Sequence, residues 1–184
     1  GLLGSIAITG EIRHGSIRPT FLATPRRARV IVAKLTASAL AGLVLGLAAE
    51  AFAIAVGSTI LHGRGVPIRL YGGDYAQLLL GGAAAAAIWA AIGVGVGAVL
   101  RNQVAATLGL FVWLLFVESL LLGQVPGAGR LLPGAAAAAI AGATFSGQVR
   151  PPLLAPAVGA LLLLTYGVAA AAAGSVATVR RDIG

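Results

Sequence analysis

"VIVAKLTASALAGLVLGLAAEAFAIAVGSTIL", residues 30–61, runs for 32 residues with one lysine and one glutamate. It has no period-2 alternation, and Ala and Leu outnumber the β-branched residues, so its pattern is that of a helix. Such a helix rises ~48 Å, more than the ~30 Å hydrocarbon core of a bilayer. Three more apolar stretches follow, Tyr75–Leu100, Val104–Leu122 and Leu153–Val179. Each reaches the ~17–25 residues that a crossing needs. In lipid a spanning segment must satisfy its own backbone, which a helix does and an open strand does not.

Composition agrees. Of 184 residues, 59% are hydrophobic and 10% are charged, with a mean hydropathy of +0.98. Soluble domains carry about 25% charged residues, and a chain this short cannot hide so much apolar surface inside itself. The expected fold is an all-α integral membrane protein, one polytopic helical bundle over 1–184. The expected spans are 25–61, 75–100, 104–122 and 153–179. Cysteine is absent, which removes a disulfide framework and thiolate metal sites. Methionine is absent even at position 1. The opening "GLLGSIAITG" rises only ~15 Å as a helix and lacks a basic n-region and a cleavage site, so it is no signal peptide. The expectation is an N-terminally incomplete chain in which 1–10 ends an earlier helix. Runs of five alanines at 83–87, 135–139 and 169–173 are low-complexity, not a repeat.

The net charge of +8 comes from bases set mostly beside apolar runs. That placement fits topology determinants better than a nucleic-acid footprint. With residues 11–34 inside the cell, Arg101, Arg180 and Arg181 are inside too; Arg64, Arg69, Arg130 and Arg150 are outside. This satisfies the positive-inside rule. Between the last two spans, 123–152 has an apolar core, Leu131–Ala143, too short to cross and bracketed by Pro and Gly. It is expected to be re-entrant or to lie at the outer face, buried against the other helices.

The basic stretch "EIRHGSIRPTFLATPRRARVIVAK", 11–34, holds five arginines and the only lysine. Thr24 suits an N-cap and Pro25 the first helical position. Arg26, Arg27 and Arg29 then stand at the positive end of a helix dipole, and with Lys34 they call for lipid phosphate or an acidic partner. Ile17, Phe21 and Leu22 recur at helical spacing beside Arg13 and Arg18, as in an amphipathic helix on the membrane surface.

Two acids lie within the spans. Glu50 and Glu118 each sit sixteen residues past a cytoplasmic marker, Lys34 and Asn102, hence ~24 Å up. Intramembrane carboxylates are costly, and a place in a substrate pathway is one reading of both. The other is structural: Glu118 accepts hydrogen bonds from the hairpin backbone or pairs with Arg130 or Arg150. Gly42/Gly46 and Gly93/Gly97 are small-xxx-small pairs for close helix packing, within the chain or between two copies. His14 and His62 stand alone, without ligand spacing for a metal.

"GEIRHGSIRPTFLATPRRARVIVAKL" resembles the cytoplasmic loop between the second and third helices of ABC type-2 transporter permeases. Glu11, Gly15, Ser16, Ile17, Arg18, Thr24, Pro25, Arg26, Arg27 and Lys34 match the family pattern. "VWLLFVESLL", followed by Pro126 and "RLLP", is similar to the family's fifth helix, with its outer glutamate and extracellular helical hairpin. The resemblance implies a multi-pass permease of the bacterial plasma membrane, paired with a second permease subunit and docked on ABC ATPase subunits. It implies that 11–24 is the coupling helix, with Glu11, Arg13, Gly15, Ser16, Ile17, Arg18, Phe21 and Leu22 at the ATPase contact. ATP and Mg would then sit on the partner ATPase, with no cofactor or metal on this chain and no nucleic-acid partner.

The residues agree that ATP is not hydrolysed here, since no G-x-x-x-x-G-K-[ST] occurs. "GVGVGA", 93–98, lies inside a span and follows no strand, so close packing explains it better than dinucleotide binding. Three classes of function stay open: the exporter permease, for a drug-like, antibiotic or lipid-like small molecule; a proton-coupled carrier using Glu50 and Glu118; and a membrane enzyme. For the last, no Ser/His/Asp, H-E-x-x-H or paired-acid constellation is present.

Overall fold

The structure, a computed structural model, describes residues 27–68, 70–100, 102–142 and 153–180. The segment 1–10, the stretch 11–24 and Arg26 lie outside the described residues, as do Arg150 and Arg181. Helices follow one another as α1 (Arg27–Gly63), α2 (Gly72–Leu100), α3 (Gln103–Val112), a π turn (Trp113–Val117), α4 (Glu118–Gln124), α5 (Pro126–Gly129), α6 (Pro133–Ile140) and α7 (Pro156–Arg180). Among the described residues there is no strand. Four stretches are long and apolar enough to cross a membrane: Val32–Gly63, Gly72–Leu100, Val104–Gln124 and Pro156–Ala177. The third combines α3, the π turn and α4 in one rod.

Local chemistry sets the helix ends. After α1, Val66 N–H donates to Leu61 O and Gly65 N–H to His62 O, each at 3.0 Å. Gly65, with φ +67°, takes the left-handed position that this Schellman pattern requires. α2 starts three residues before its apolar run, because Asp74 Oδ2 accepts the Tyr71 N–H at 2.8 Å. That carboxylate also suits the positive end of the helix. Between α2 and α3 the Asn102 side chain accepts from Val104 N–H and Ala105 N–H at 3.0 and 3.1 Å, so a two-residue break suffices to reverse the chain.

α2 is the axle. Half of its most apolar window is buried, against 11% for α1 and 17% for both the α3–α4 rod and α7. Most of its buried residues are small, among them Gly82, Ala83, Gly93, Gly95, Gly97 and Ala98. α1 meets it through Gly42 and Gly46: a Cβ on Gly42 would come within 2.8 Å of Ala86 O, and one on Gly46 within 2.7 Å of Ala86 Cβ. This glycine pair therefore packs inside the chain. On another face, Gly95 lies against the Ala170 backbone of α7, and Gly174 of α7 lies against Gly95 and Ala98. Between apolar helices in lipid there is little hydrophobic gain, so attraction comes from dispersion at close backbone approach. Larger side chains gather where α6 enters, in a cluster of Ala85, Ile92, Ala136, Ile140 and Leu163. Leu40, Val44 and Phe52 of α1 and Leu161 and Val168 of α7 face outward. An apolar exterior of this kind is what a lipid-facing bundle presents.

Candidate functional site: a hairpin held by an intramembrane carboxylate

The segment 126–142 forms two short helices, α5 and α6, that fold back into the bundle. Heights follow from ~1.5 Å per residue, counted from the end where α2 finishes and α3 begins. Glu118 stands ~24 Å above Asn102, Tyr166 ~21 Å above Arg180, and Gly81 ~28 Å above Leu100. The start of α6 meets Glu118, and Leu131 just before it meets Tyr166; its far end meets Gly81. α6 therefore begins ~21–24 Å from that end and climbs toward the end that carries the 64–71 turn. The hairpin packs back against the long helices. Its helix runs over Pro133–Ile140, inside the expected Leu131–Ala143 core.

A helix that begins inside lipid has unpaired N–H groups and no water to satisfy them. Here every one is accounted for. Pro133, at the first helical position, has none. Gly134 and Ala135 both donate to Glu118 Oε1, the second at 3.1 Å. Ala136 donates to Leu132 O at 2.9 Å. The Leu131 carbonyl accepts the Tyr166 hydroxyl from α7 at 3.2 Å. Glu118 thus caps a helix sixteen residues further along the chain, and its charge suits the positive end of the α6 dipole. Of the structural partners open to Glu118 in the sequence, the hairpin backbone is the one it takes, while Arg130 is exposed.

Glu118 is only 3% exposed. Its Oε2 is buried and, among the described residues, has no hydrogen-bond partner. Gly134 is what lets the carboxylate come so close, since a Cβ there would stand 2.5 Å from Oε2. Glu118 directly follows the π turn, and its own N–H donates back to Trp113 O, five residues earlier. At the other end of α6, Gly142 (φ +67°) closes the helix with its N–H on Ala139 O at 3.2 Å, packed against Gln77.

Glu50 of α1 reaches α2 one residue away from the hairpin's own contact. Its carboxylate packs on Gly82, while the adjacent Gly81 takes the Ile140 backbone of α6. Glu50 is half-buried. Lys34 is half-buried in the early turns of α1, and Arg27 and Arg29 begin that helix. The residues expected at an ATPase contact, Glu11 to Leu22, lie outside the described residues. Sequence reasoning passed over Tyr166, Gly134, Gln77 and the π turn. Two had a signal: Pro133-Gly134 is a helix start with room at its second position, and Tyr166 is a polar tip in an apolar run.

Fold and site together define a class, an α-helical protein with four helices long and apolar enough to cross a membrane and a short-helix hairpin pinned by a buried carboxylate. No protein-family model matches the chain, and neither a curated protein nor a solved structure matches it significantly.

Proposed function

We propose that this chain is the transmembrane permease subunit of an ATP-binding-cassette exporter of the type-2 kind. It moves a drug-like, antibiotic or lipid-like molecule outward with ATP hydrolysed on a separate subunit. The observation that carries this reading is the re-entrant hairpin, pinned by Glu118 late in the third described span and followed by one last span. The resemblance in residues 11–34 implies the same helix order, with a basic coupling segment at the opposite end. In this reading the 64–71 turn and the hairpin face outside a bacterial plasma membrane, and 11–24 docks in an ATPase groove. A second permease subunit completes the transport path. Pairing of subunits and the absence of a nucleotide site on this chain belong to the same proposal.

The test sits in the coupling segment. Ile17→Asp or Phe21→Asp puts a carboxylate into an apolar contact, so ATPase should be lost from the purified permease or stop responding to substrate. Arg26→Ala with Arg27→Ala removes about 1 kcal/mol of lipid attraction per base and should leave assembly intact. Full ATPase binding and stimulation in both aspartate variants would overturn the exporter reading.

One observation favours a second reading, a proton-coupled carrier: among the described residues Glu118 Oε2 has no donor although it is buried. Transport by such a carrier collapses with uncouplers and ignores vanadate; the exporter behaves the opposite way. Glu118→Gln and Glu50→Gln separate roles further. If either acid binds substrate, the change weakens export of cations and spares neutral molecules.

A further inference from the structure

We propose that the π turn and Glu118 form a two-position latch on the hairpin, independent of whether the exporter reading holds. The present structure is the closed position, with Glu118 Oε1 on Gly134 N–H and Ala135 N–H.

The π turn is the moving part. It takes in one residue more than an α turn of the same axial length. If it re-forms as α-helix with no residue lost, everything beyond it turns by ~100° and advances ~1.5 Å. Glu118, immediately beyond Val117, is then carried off the start of α6. Two further observations allow that motion. The closed contact uses one carboxylate oxygen, and among the described residues Oε2 is buried without a donor; that unpaired oxygen costs desolvation free energy in the closed position and so narrows its advantage over an open one. The rod also presents Phe111, Trp113, Leu115 and Phe116 outward, each 39–65% exposed. Lipid is equally apolar on every side of a helix, so it offers little resistance to this rotation.

Opening has a necessary consequence. Gly134 N–H and Ala135 N–H lose their acceptor inside the apolar layer, so the hairpin must move toward the head groups or admit water. The latch therefore couples a one-residue slip in the rod to the position of α6.

Hydrogen exchange at the Gly134 and Ala135 amides, with the protein in lipid nanodiscs, reads the open population. Glu118→Ala should speed that exchange about tenfold or more, the scale of a lost charged hydrogen bond. Deleting Leu115 removes the extra residue, so the rod becomes α-helix with Glu118 still on α6 and no second position. Exchange at both amides should then slow, by about tenfold where wild-type exchange runs through the open state. Unchanged or faster exchange in the folded deletion variant overturns the latch, as does unchanged exchange in Glu118→Ala. A second measurement needs no deletion. Gly134→Ala forces the carboxylate away, and carbonyl carbon shifts at Trp113–Val117 should move to α-helical values. A π turn that keeps its shifts in that variant is static, and the proposal fails.

Discussion

A single hydrogen-for-methyl exchange separates two kinds of glycine here. Gly57, in the last two turns of α1, has nothing within 4 Å of the place a Cβ would occupy. Gly95 has the Ala170 backbone there. Gly57→Ala should therefore leave stability unchanged or raise it by up to ~1 kcal/mol, from helix propensity. Gly95→Ala must push two backbones apart and should cost ~1–3 kcal/mol. Unfolding by denaturing detergent in mixed micelles measures both, and a Gly95→Ala as stable as Gly57→Ala would contradict the packing described. The small-xxx-small signal located Gly42 and Gly46 from spacing alone. It missed Gly81, Gly82 and Gly95, because their need arises from neighbours far away in sequence.

At the scale of elements, caps rather than composition fix where helices stop. Gly65→Ala places a Cβ in a left-handed conformation and should cost ~1–2 kcal/mol. Asn102→Ala removes an acceptor for two N–H groups and should cost ~1 kcal/mol. Both losses should appear as a lower unfolding midpoint in the same detergent assay, with helix content unchanged. The spans themselves were legible in the sequence, since length and hydropathy suffice for them. The π turn was not, because "WLLFV" differs in no local preference from the α-helix on either side. The hairpin was legible as something too short to cross. That Glu118 would cap it was one of two readings, and only the fold could bring residue 118 to residue 134.

For the whole molecule, the orientation proposed above has a direct check. The chain contains no cysteine, so one introduced at a time is labelled without background. With an impermeant maleimide added outside intact cells, Gly63→Cys and Arg130→Cys should react, while Ser16→Cys should not. Reaction at Ser16 alone would invert the arrangement and move the basic stretch away from any ATPase. Charge is what the side assignment rests on; the central place of α2 was not legible in the sequence, because its alanines and glycines look the same whether they face lipid or protein.

The way the hairpin is held also bears on how the protein is made. Glu118, its acidic cap, leaves the ribosome before α6 does, whereas Gly159 and Tyr166, which pack on and bond to the hairpin, come only with the final helix. A nascent chain that has reached residue 155 therefore has the cap and the α2 side of the seat in hand, but not the α7 wall. Insertion of α7 is the step that completes the seat, so the hairpin folds last although it is not synthesised last. A chain stopped before Pro156 should leave that segment open to added protease, and adding α7 back to the chain should close it.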